Sequence, residues 1–444
     1  MNKEFHKKQN FFSFSDIDSE RKDRIMKFTS TEATPAPHVP PGVLRLTGAA
    51  KEDIPMYRIQ TMNKISPVGL NRFPSELYEV GDAVQDPQGI LVRSAKLLDL
   101  EFNPGLLAIA RAGVGVNNIP LDRCAAAGIP VFSTPGANAN AVKELVICAM
   151  LMGSRDIPGA IRWVREQAAS GVDVSTVVEK GKSAFIGPEL YKKTLGIIGL
   201  GAIGSIVANT AISLGMDVYG YDPFLSVDTA LRLDRHVHVV KDINDLYKRS
   251  DYITMHIHYT EKTARMIDAS AIAAMKRGVR VINLARGEIV DDEAMLTALD
   301  TGMVAAYITD FPNNRLLTAP HVIAMPHLGA STPESEQNCA AMAVDTLRDY
   351  LESGNIRSSV NLPEMTMDRS GVQRLCVLHK NVPGMLANIT SLFGRDGVNV
   401  ENLSNKSRGD YAYTMVDVNT RISDQVADEL RAIEGVIRVR VLNH

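Results

Sequence analysis

Residues 194–204 read TLGIIGLGAIG: a short apolar run, Thr194–Ile198, leads into Gly199-x-Gly201-x-x-Gly204. An apolar helical pattern follows, and then a second short run, Asp217–Tyr221 (DVYGY), ends at Asp222. In a strand–turn–helix of this kind the first glycine permits the tight turn, the second lets backbone approach a pyrophosphate, and the third lets helix and strand pack closely. The first helical N–H groups, those of Ala202 and Ile203, then face the phosphates. Asp222 stands 21 positions after Gly201, where a carboxylate accepts ribose hydroxyls and repels a 2′-phosphate. The stretch therefore predicts an NAD-binding βαβ unit rather than a bare glycine turn.

On both sides the same style continues. Upstream lie Gly89–Val92 (GILV), Leu107–Ala110, Ile129–Phe132 and a nearly continuous apolar helix from Ala141 to Met152. Downstream lie Tyr252–His256, Val279–Leu284, Ala305–Thr309 and Val322–Met325, most of them separated by helical patterns. Short apolar strands alternating with helices predict an α/β fold with a parallel sheet covered on both faces. Thr332–Gly354 reads as one long helix, with Ser331 as the expected cap and Glu334 completing a capping box. After a polar linker, Asn361–Gly371, the order of elements becomes βαββαβ within residues 372–444, a small ferredoxin-like unit. Residues 1–56 are polar, contain a Pro-rich patch at Thr34–Gly42, and are expected to be a poorly ordered extension.

The 444 residues suggest about three domains, and 45% apolar with 22% charged residues is ordinary for a globular chain. With 48 Lys and Arg against 51 Asp and Glu, the formal charge of −3 lacks the basic excess of a nucleic-acid or membrane-surface binder. No apolar run reaches the roughly 18 residues of a membrane helix. The N-terminus has no signal-peptide core, and its five acids by position 27 disfavour a transit peptide despite seven bases. Cys124, Cys148, Cys339 and Cys376 form no C-x-x-C pair and read as free thiols in a reducing compartment, the cytoplasm.

Arg286, in VRVINLARGEIVD (279–291), falls just past a strand, where open α/β sheets bind ligands, and its rigid fork suits a carboxylate. His327, in VIAMPHLGAST (322–332), falls past the next strand between Pro326 and Gly329, and imidazole exchanges a proton near neutrality. Together with a dinucleotide site, these two predict hydride transfer at a 2-hydroxy or 2-keto acid. Arg93, Ser94 and the RAGVG turn (111–115) offer cations and backbone N–H groups to an anion, although ordinary turn chemistry explains them equally well. His256 and His258 share a face as H-x-H, but no third ligand stands at a useful spacing, so packing near the cofactor is preferred over metal.

RAGVGVNN (111–118), GPELYKKTLGIIGLGAIG (187–204), NLARGEIVD (283–291) and PHLGAST (326–332) resemble, in this order, the D-isomer-specific 2-hydroxyacid dehydrogenase family. More narrowly, the chain from about Tyr57 resembles members that act on 3-phosphoglycerate and end in an ACT domain. The resemblance implies two Rossmann-like doubly wound domains: a substrate domain at 57–139 plus 329–361, and an NAD-binding domain at 140–328 between them. It makes His327 the acid–base group and Arg286 the carboxylate holder. It places Arg93, Ser94, the backbone of Val114 and Gly115, and Asn138 at the substrate, with Lys143 as an added charge. Ala285, His256, Asp310 and His327 join the glycine turn and Asp222 around the cofactor. His379, Asn381 and Asn399 match an amino-acid site, with L-serine or another amino acid as effector and the sites lying between subunits of a homodimer or homotetramer.

Two departures stand out. The family's catalytic Glu is missing from AAYITDFPNNRLL (305–317), a stretch also shortened before His327. Asp310 is the expected substitute, since a carboxylate beside imidazole stabilises the imidazolium. His258-Tyr259 replaces the family's Pro and apolar residue. The expected reaction is NAD-dependent oxidation of 3-phospho-D-glycerate, the entry to serine synthesis, with serine feedback. An unphosphorylated 2-keto acid such as 2-oxoglutarate, or a sensor of NAD and amino acids without turnover, remains the alternative.

Overall fold

The computed structural model describes residues 56–443, so the expectation for residues 1–56 lies almost wholly outside the described residues. Three sheets organise the chain. The first is parallel and five-stranded: β1 (Tyr57–Met62), β2 (Tyr78–Gly81), β3 (Gly89–Val92), β4 (Ala108–Arg111) and β5 (Val131–Phe132), in the order β2-β1-β3-β4-β5. The second has seven parallel strands: β6 (Thr194–Ile198), β7 (Asp217–Tyr221), β8 (Val237–Val240), β9 (Tyr252–Met255), β10 (Val279–Asn283), β11 (Val304–Thr309) and β12 (Val322–Ala324). Their order, β12-β11-β10-β9-β6-β7-β8, reverses direction between β6 and β9. That reversal opens a crevice at the carboxyl ends of the strands, the general ligand position of such sheets. Strands buried on both faces, such as β3 and β9, carry no polar alternation, which is why they read as continuous apolar runs.

Two helices join the parallel sheets. Ala139–Arg155 leaves the first sheet for the second, and Pro333–Ser353 returns. The returning helix begins one residue later than its sequence pattern suggested. Thr332, not Ser331, is the cap, and its hydroxyl accepts the Ser335 N–H at 3.1 Å. Pro333 occupies the first helical turn, where its missing N–H costs nothing, and so fixes the cap at the residue before it.

The third sheet is antiparallel: β13 (Gln373–Lys380), β14 (Val400–Arg408), β15 (Tyr411–Val418) and β16 (Val436–Asn443), in the order β14-β15-β13-β16. Helices Met385–Arg395 and Asp424–Ala432 cover one face through Leu375, Val377, Ile389, Phe393 and Leu430. The opposite face is not free. Cys376, Leu378, Tyr413, Met415 and Leu442 share one core with Val344, Leu347, Tyr350 and Leu351 of the long helix and with Ile59 and Leu91 of the first sheet. The interface is polar as well as apolar. Arg374, fully buried, grips both oxygens of Asp417 at 2.6 and 2.7 Å and donates to the carbonyls of Ser353, Met367 and Asp368. Arg440 donates to the carbonyls of Tyr350 and Leu351, and the Tyr413 hydroxyl to that of Gly354 at 2.6 Å. A helix leaves its last carbonyls unsatisfied, and its C-terminal end favours cations. Here side chains of the third sheet satisfy them.

Candidate active site

The glycine turn behaves as its spacing requires. Gly199 has φ +93°, and a Cβ there would lie 2.5 Å from the His256 carbonyl oxygen. A Cβ on Gly204 would stand 1.9 Å from the Gly199 oxygen, so only glycine lets helix Ala202–Ser213 sit this close to the turn. Beside Gly201, by contrast, nothing lies within 4 Å. No side chain caps this helix, and its first internal bond is Ser205 N–H to Gly201 O at 3.1 Å. The N–H groups of Ala202 and Ile203 are thus left facing open space, a fit for a pyrophosphate. Asp222, at the end of β7, accepts the N–H groups of Leu200 and Phe224, both at 2.9 Å. These two bonds fix the carboxylate against the turn and leave acceptor capacity for ribose hydroxyls.

His256 follows β9 directly, with its Nε2 3.2 Å from the Thr254 hydroxyl. Burial pulls its pKa down to about 4, so the ring is neutral at physiological pH. Ala285 is buried just past β10, and its N–H donates to Asn283. No cluster of three His, Cys, Asp or Glu able to hold a metal occurs among the described residues.

Across the crevice, arginines gather on the RAGVG turn. A Cβ on Gly115 would be 3.4 Å from Arg286 Nη2 and 3.6 Å from Arg111 Nη1. Arg111 also donates Nε–H to the Arg93 carbonyl at 3.0 Å. Burial above all, and then the like charges of Arg286 and Arg93, hold the Arg111 guanidinium below its usual pKa. Like charges held together without equal acid favour an anionic ligand. The N–H groups of Val114 and Gly115 make no hydrogen bond among the described residues. Ser94 is held through its N–H by Asn63. Asn138, just before the first linking helix, keeps a buried Oδ1 without a partner. Lys143 does not join this group as expected, since its ammonium turns back to Asn140, one turn earlier on the same helix, at 2.6 Å. Arg93 is partly engaged too, by Glu336 of the long helix at 2.6 Å.

His327 emerges exposed after β12. Asp310, at the end of β11, is 1% exposed. Its Oδ2 accepts the Gly329 N–H at 3.3 Å and its Oδ1 has no partner. Burial raises its pKa, and the nearby charge of His327 opposes that rise. Asp310 is therefore close enough to act on the imidazole electrostatically but makes no hydrogen bond to it. Both line a cavity of about 840 Å³ with Tyr259, Glu288, Phe311 and Asn313. Phe311 had no distinguishing mark in the sequence. Its ring centroid lies 4.7 Å from that of His327 and 6.0 Å from the Arg286 guanidinium carbon.

The three candidate effector residues do not meet within one chain. His379 is buried, with Nδ1 2.7 Å from the Lys380 carbonyl and Nε2 2.9 Å from the Thr414 hydroxyl. Asn381 pairs with Asp410 before β15, whereas Asn399 pairs with Asn419 after it. The two amides therefore stand at opposite ends of one strand.

Comparison with known proteins agrees with this geometry. Residues 147–329 match the D-isomer specific 2-hydroxyacid dehydrogenase NAD binding domain, and residues 375–438 match an AHAS small subunit-like ACT domain. The chain is 32% identical to the D-3-phosphoglycerate dehydrogenase of Haemophilus influenzae over 82% of its own length and 88% of that protein. It is 36% identical to the Synechocystis D-3-phosphoglycerate dehydrogenase over 71% of its own length, but that match spans only 56% of the longer relative. Among solved structures, NAD+-bound 3-phosphoglycerate dehydrogenase from Entamoeba histolytica is 26% identical, covering 69% of this chain and 99% of that one, with a TM-score of 0.54. The chain belongs to the D-isomer-specific 2-hydroxyacid dehydrogenase family, with a C-terminal ACT domain.

Proposed function

We propose that the protein oxidises 3-phospho-D-glycerate to 3-phosphohydroxypyruvate with NAD, and catalyses the reverse, as the entry to serine synthesis. The observation that carries the reading is the convergence of Arg111 and Arg286 on the RAGVG turn, with Arg93 beside Arg111, at the crevice that also holds His327. Arg286 and the free N–H groups of Val114 and Gly115 hold the substrate carboxylate, with Ser94 and Asn138 completing the polar wall. Arg111 and Arg93 take the phosphate. His327 removes the C2 hydroxyl proton in oxidation and returns it in reduction. NAD, when bound, accepts the C2 hydride. Asp310 lends the developing imidazolium its negative charge from 19 residues upstream of Gly329, the residue that anchors it.

The regulatory and assembly readings belong here as well. We assign L-serine, or another small amino acid, to the ACT domain at His379, Asn381 and Asn399. The separation of the two amides along one strand supports a site completed by a second copy. Helices Ile157–Ala169 and Val174–Gly181 bury no residue in this chain and expose Ile161 and Val164, which supports a homodimer or homotetramer built on the nucleotide domain. The four free thiols support a cytoplasmic setting. Among the described residues no helix is long and apolar enough to cross a membrane.

One observation favours a second substrate. Glu336 engages Arg93, which leaves less free positive charge than a phosphate would use. An unphosphorylated keto acid such as 2-oxoglutarate then fits. The test is NADH oxidation with each keto acid, repeated with L-serine. Turnover of 3-phosphohydroxypyruvate that serine suppresses is the expected result. Turnover of 2-oxoglutarate alone overturns the substrate, and serine-insensitive turnover overturns the effector. NADH binding with no turnover of either leaves a nucleotide- and amino-acid-sensing protein.

A further inference from the structure

We propose that Phe311 is a positioning residue for the acid–base histidine: its ring, set beside both His327 and Arg286, holds the imidazole toward the crevice. The inference rests on the catalytic reading of His327 given above.

The geometry leaves the imidazole in need of such a neighbour. Neither ring nitrogen of His327 makes a hydrogen bond among the described residues, so no carboxylate fixes its orientation directly. The side chain that does pack against the imidazole is Phe311, centroid to centroid at 4.7 Å and tilted by 48°. The same ring carries the Arg286 guanidinium carbon at 6.0 Å. The ring is itself held. Phe311 N–H donates to the Thr309 hydroxyl at 3.1 Å, and Thr309 is fully buried at the end of β11. On the other side Gly287 makes room: a Cβ there would come within 3.3 Å of the Phe311 Cβ. The turn after β10 and the end of β11 thus clasp one aromatic ring between the two groups that handle substrate.

An aromatic face is electron-rich and attracts a nearby cation more than a neutral ring. The charged group on the same ring is the Arg286 guanidinium. The other titratable groups around the cavity are Tyr259 and Arg265 after β9, Glu288, Asp291, Asp292 and Glu293 after β10, Tyr307 within β11, and Asp310 at its end. Arg265 is paired with Asp291, Arg315 with Glu293, Asn313 with Asp292, and the Tyr307 hydroxyl accepts from Asn283. Asp310, whose charge acts on the imidazole, and Glu288, on the wall of the same cavity, are the acids here without a side-chain hydrogen-bond or ion-pair partner among the described residues, so the test includes both.

The experiment compares Phe311→Leu, Phe311→Tyr, Glu288→Gln and Asp310→Asn in the full-length protein. Keto-acid reduction requires the protonated imidazole, so kcat/KM declines on the alkaline side as that proton is lost. Removing the ring in Phe311→Leu is expected to displace this midpoint and to lower kcat/KM several-fold, with NADH affinity retained. Phe311→Tyr keeps the ring and is expected to keep both values. The same midpoint is read without turnover by NMR titration of carbon-13-labelled histidine. Should Phe311→Leu fail to fold, Gly287→Ala presses on the ring without removing it and is expected to displace the midpoint. An unmoved midpoint in Phe311→Leu or its substitute, a Phe311→Tyr as displaced as the leucine variant, or a shift produced by the acid variants alone overturns the proposal. Loss of the catalytic reading shows separately, as wild-type turnover by His327→Asn.

Discussion

Asp310 carries two costs that point the same way. One oxygen is buried without a partner, and burial raises its pKa above the usual carboxylate value. A carboxyl that binds its proton more tightly folded than unfolded loses stability as pH rises through the window between the two pKa values, starting near 4. Asp310→Asn removes that cost. It is expected to raise the melting temperature at pH 7 relative to the parent protein, with the gain vanishing below pH 4, while turnover falls at least tenfold and NADH binding persists. An activity close to the parent's would instead remove Asp310 from the mechanism. At this scale the sequence was legible where backbone geometry needs a residue type at a fixed local spacing. Gly199, Gly204 and Asp222 are of that kind. Phe311 was silent because its neighbours, His327 and Arg286, come from other strands, and a phenylalanine after a strand reads as ordinary packing. The Asn140 partner of Lys143 was equally silent, since a helix-surface lysine and asparagine three positions apart read as ordinary solvated polarity.

Among the elements, the turn from β6 into helix Ala202–Ser213 has the least tolerance. With the Gly204 Cβ position 1.9 Å from the Gly199 oxygen, even alanine forces helix and strand apart. Overpacking of this kind costs about 1–3 kcal/mol, and it moves the N–H groups of Ala202 and Ile203 at the helix start. Gly204→Ala is therefore expected to weaken NADH binding by an order of magnitude or more, measured by fluorescence titration, with circular dichroism little changed. Most strands of the two parallel sheets were legible because burial on both faces leaves an unbroken apolar run. The same logic explains what was not. Helices Ile157–Ala169 and Val174–Gly181 have no fully buried residue within the chain, so their apolar positions point to no core that fixes their place. Strand β8, with two of its four residues exposed, reads as weakly as it packs. The cap of the long helix shifted from Ser331 to Thr332 because Ser, Thr and Pro stand in succession and only the proline's place in the first turn decides between them.

At the scale of the molecule, the C-terminal sheet is fused to the catalytic half rather than tethered to it. Arg440, Arg374 and Tyr413 together serve the carbonyls of Tyr350, Leu351, Ser353 and Gly354, at the end of the helix whose other end begins six residues past His327. Removing one donor strands buried acceptors, at about 1–3 kcal/mol each. Arg440→Leu is expected to lower the melting temperature by several degrees and to speed amide hydrogen exchange in the last turn of that helix more than in β6 or β7. Exchange raised equally everywhere, or nowhere, would show that the sheet does not brace the helix. The sequence showed the C-terminal unit clearly by its change of pattern, yet its attachment was invisible. A polar linker carries no mark of how the unit after it packs, and only the buried face of β13 and β15 shows that attachment.

That helix end also sets an order of events. The residues that complete it, Arg374 to Arg440, leave the ribosome after every strand of the two parallel sheets has been made. Until then the first sheet keeps an apolar face and the long helix a row of bare carbonyls, both exposed to whatever else is in the cell. A chain that stops short of residue 440 would not be the same protein less one domain; it would be an unfinished one, and a target for chaperones and proteases.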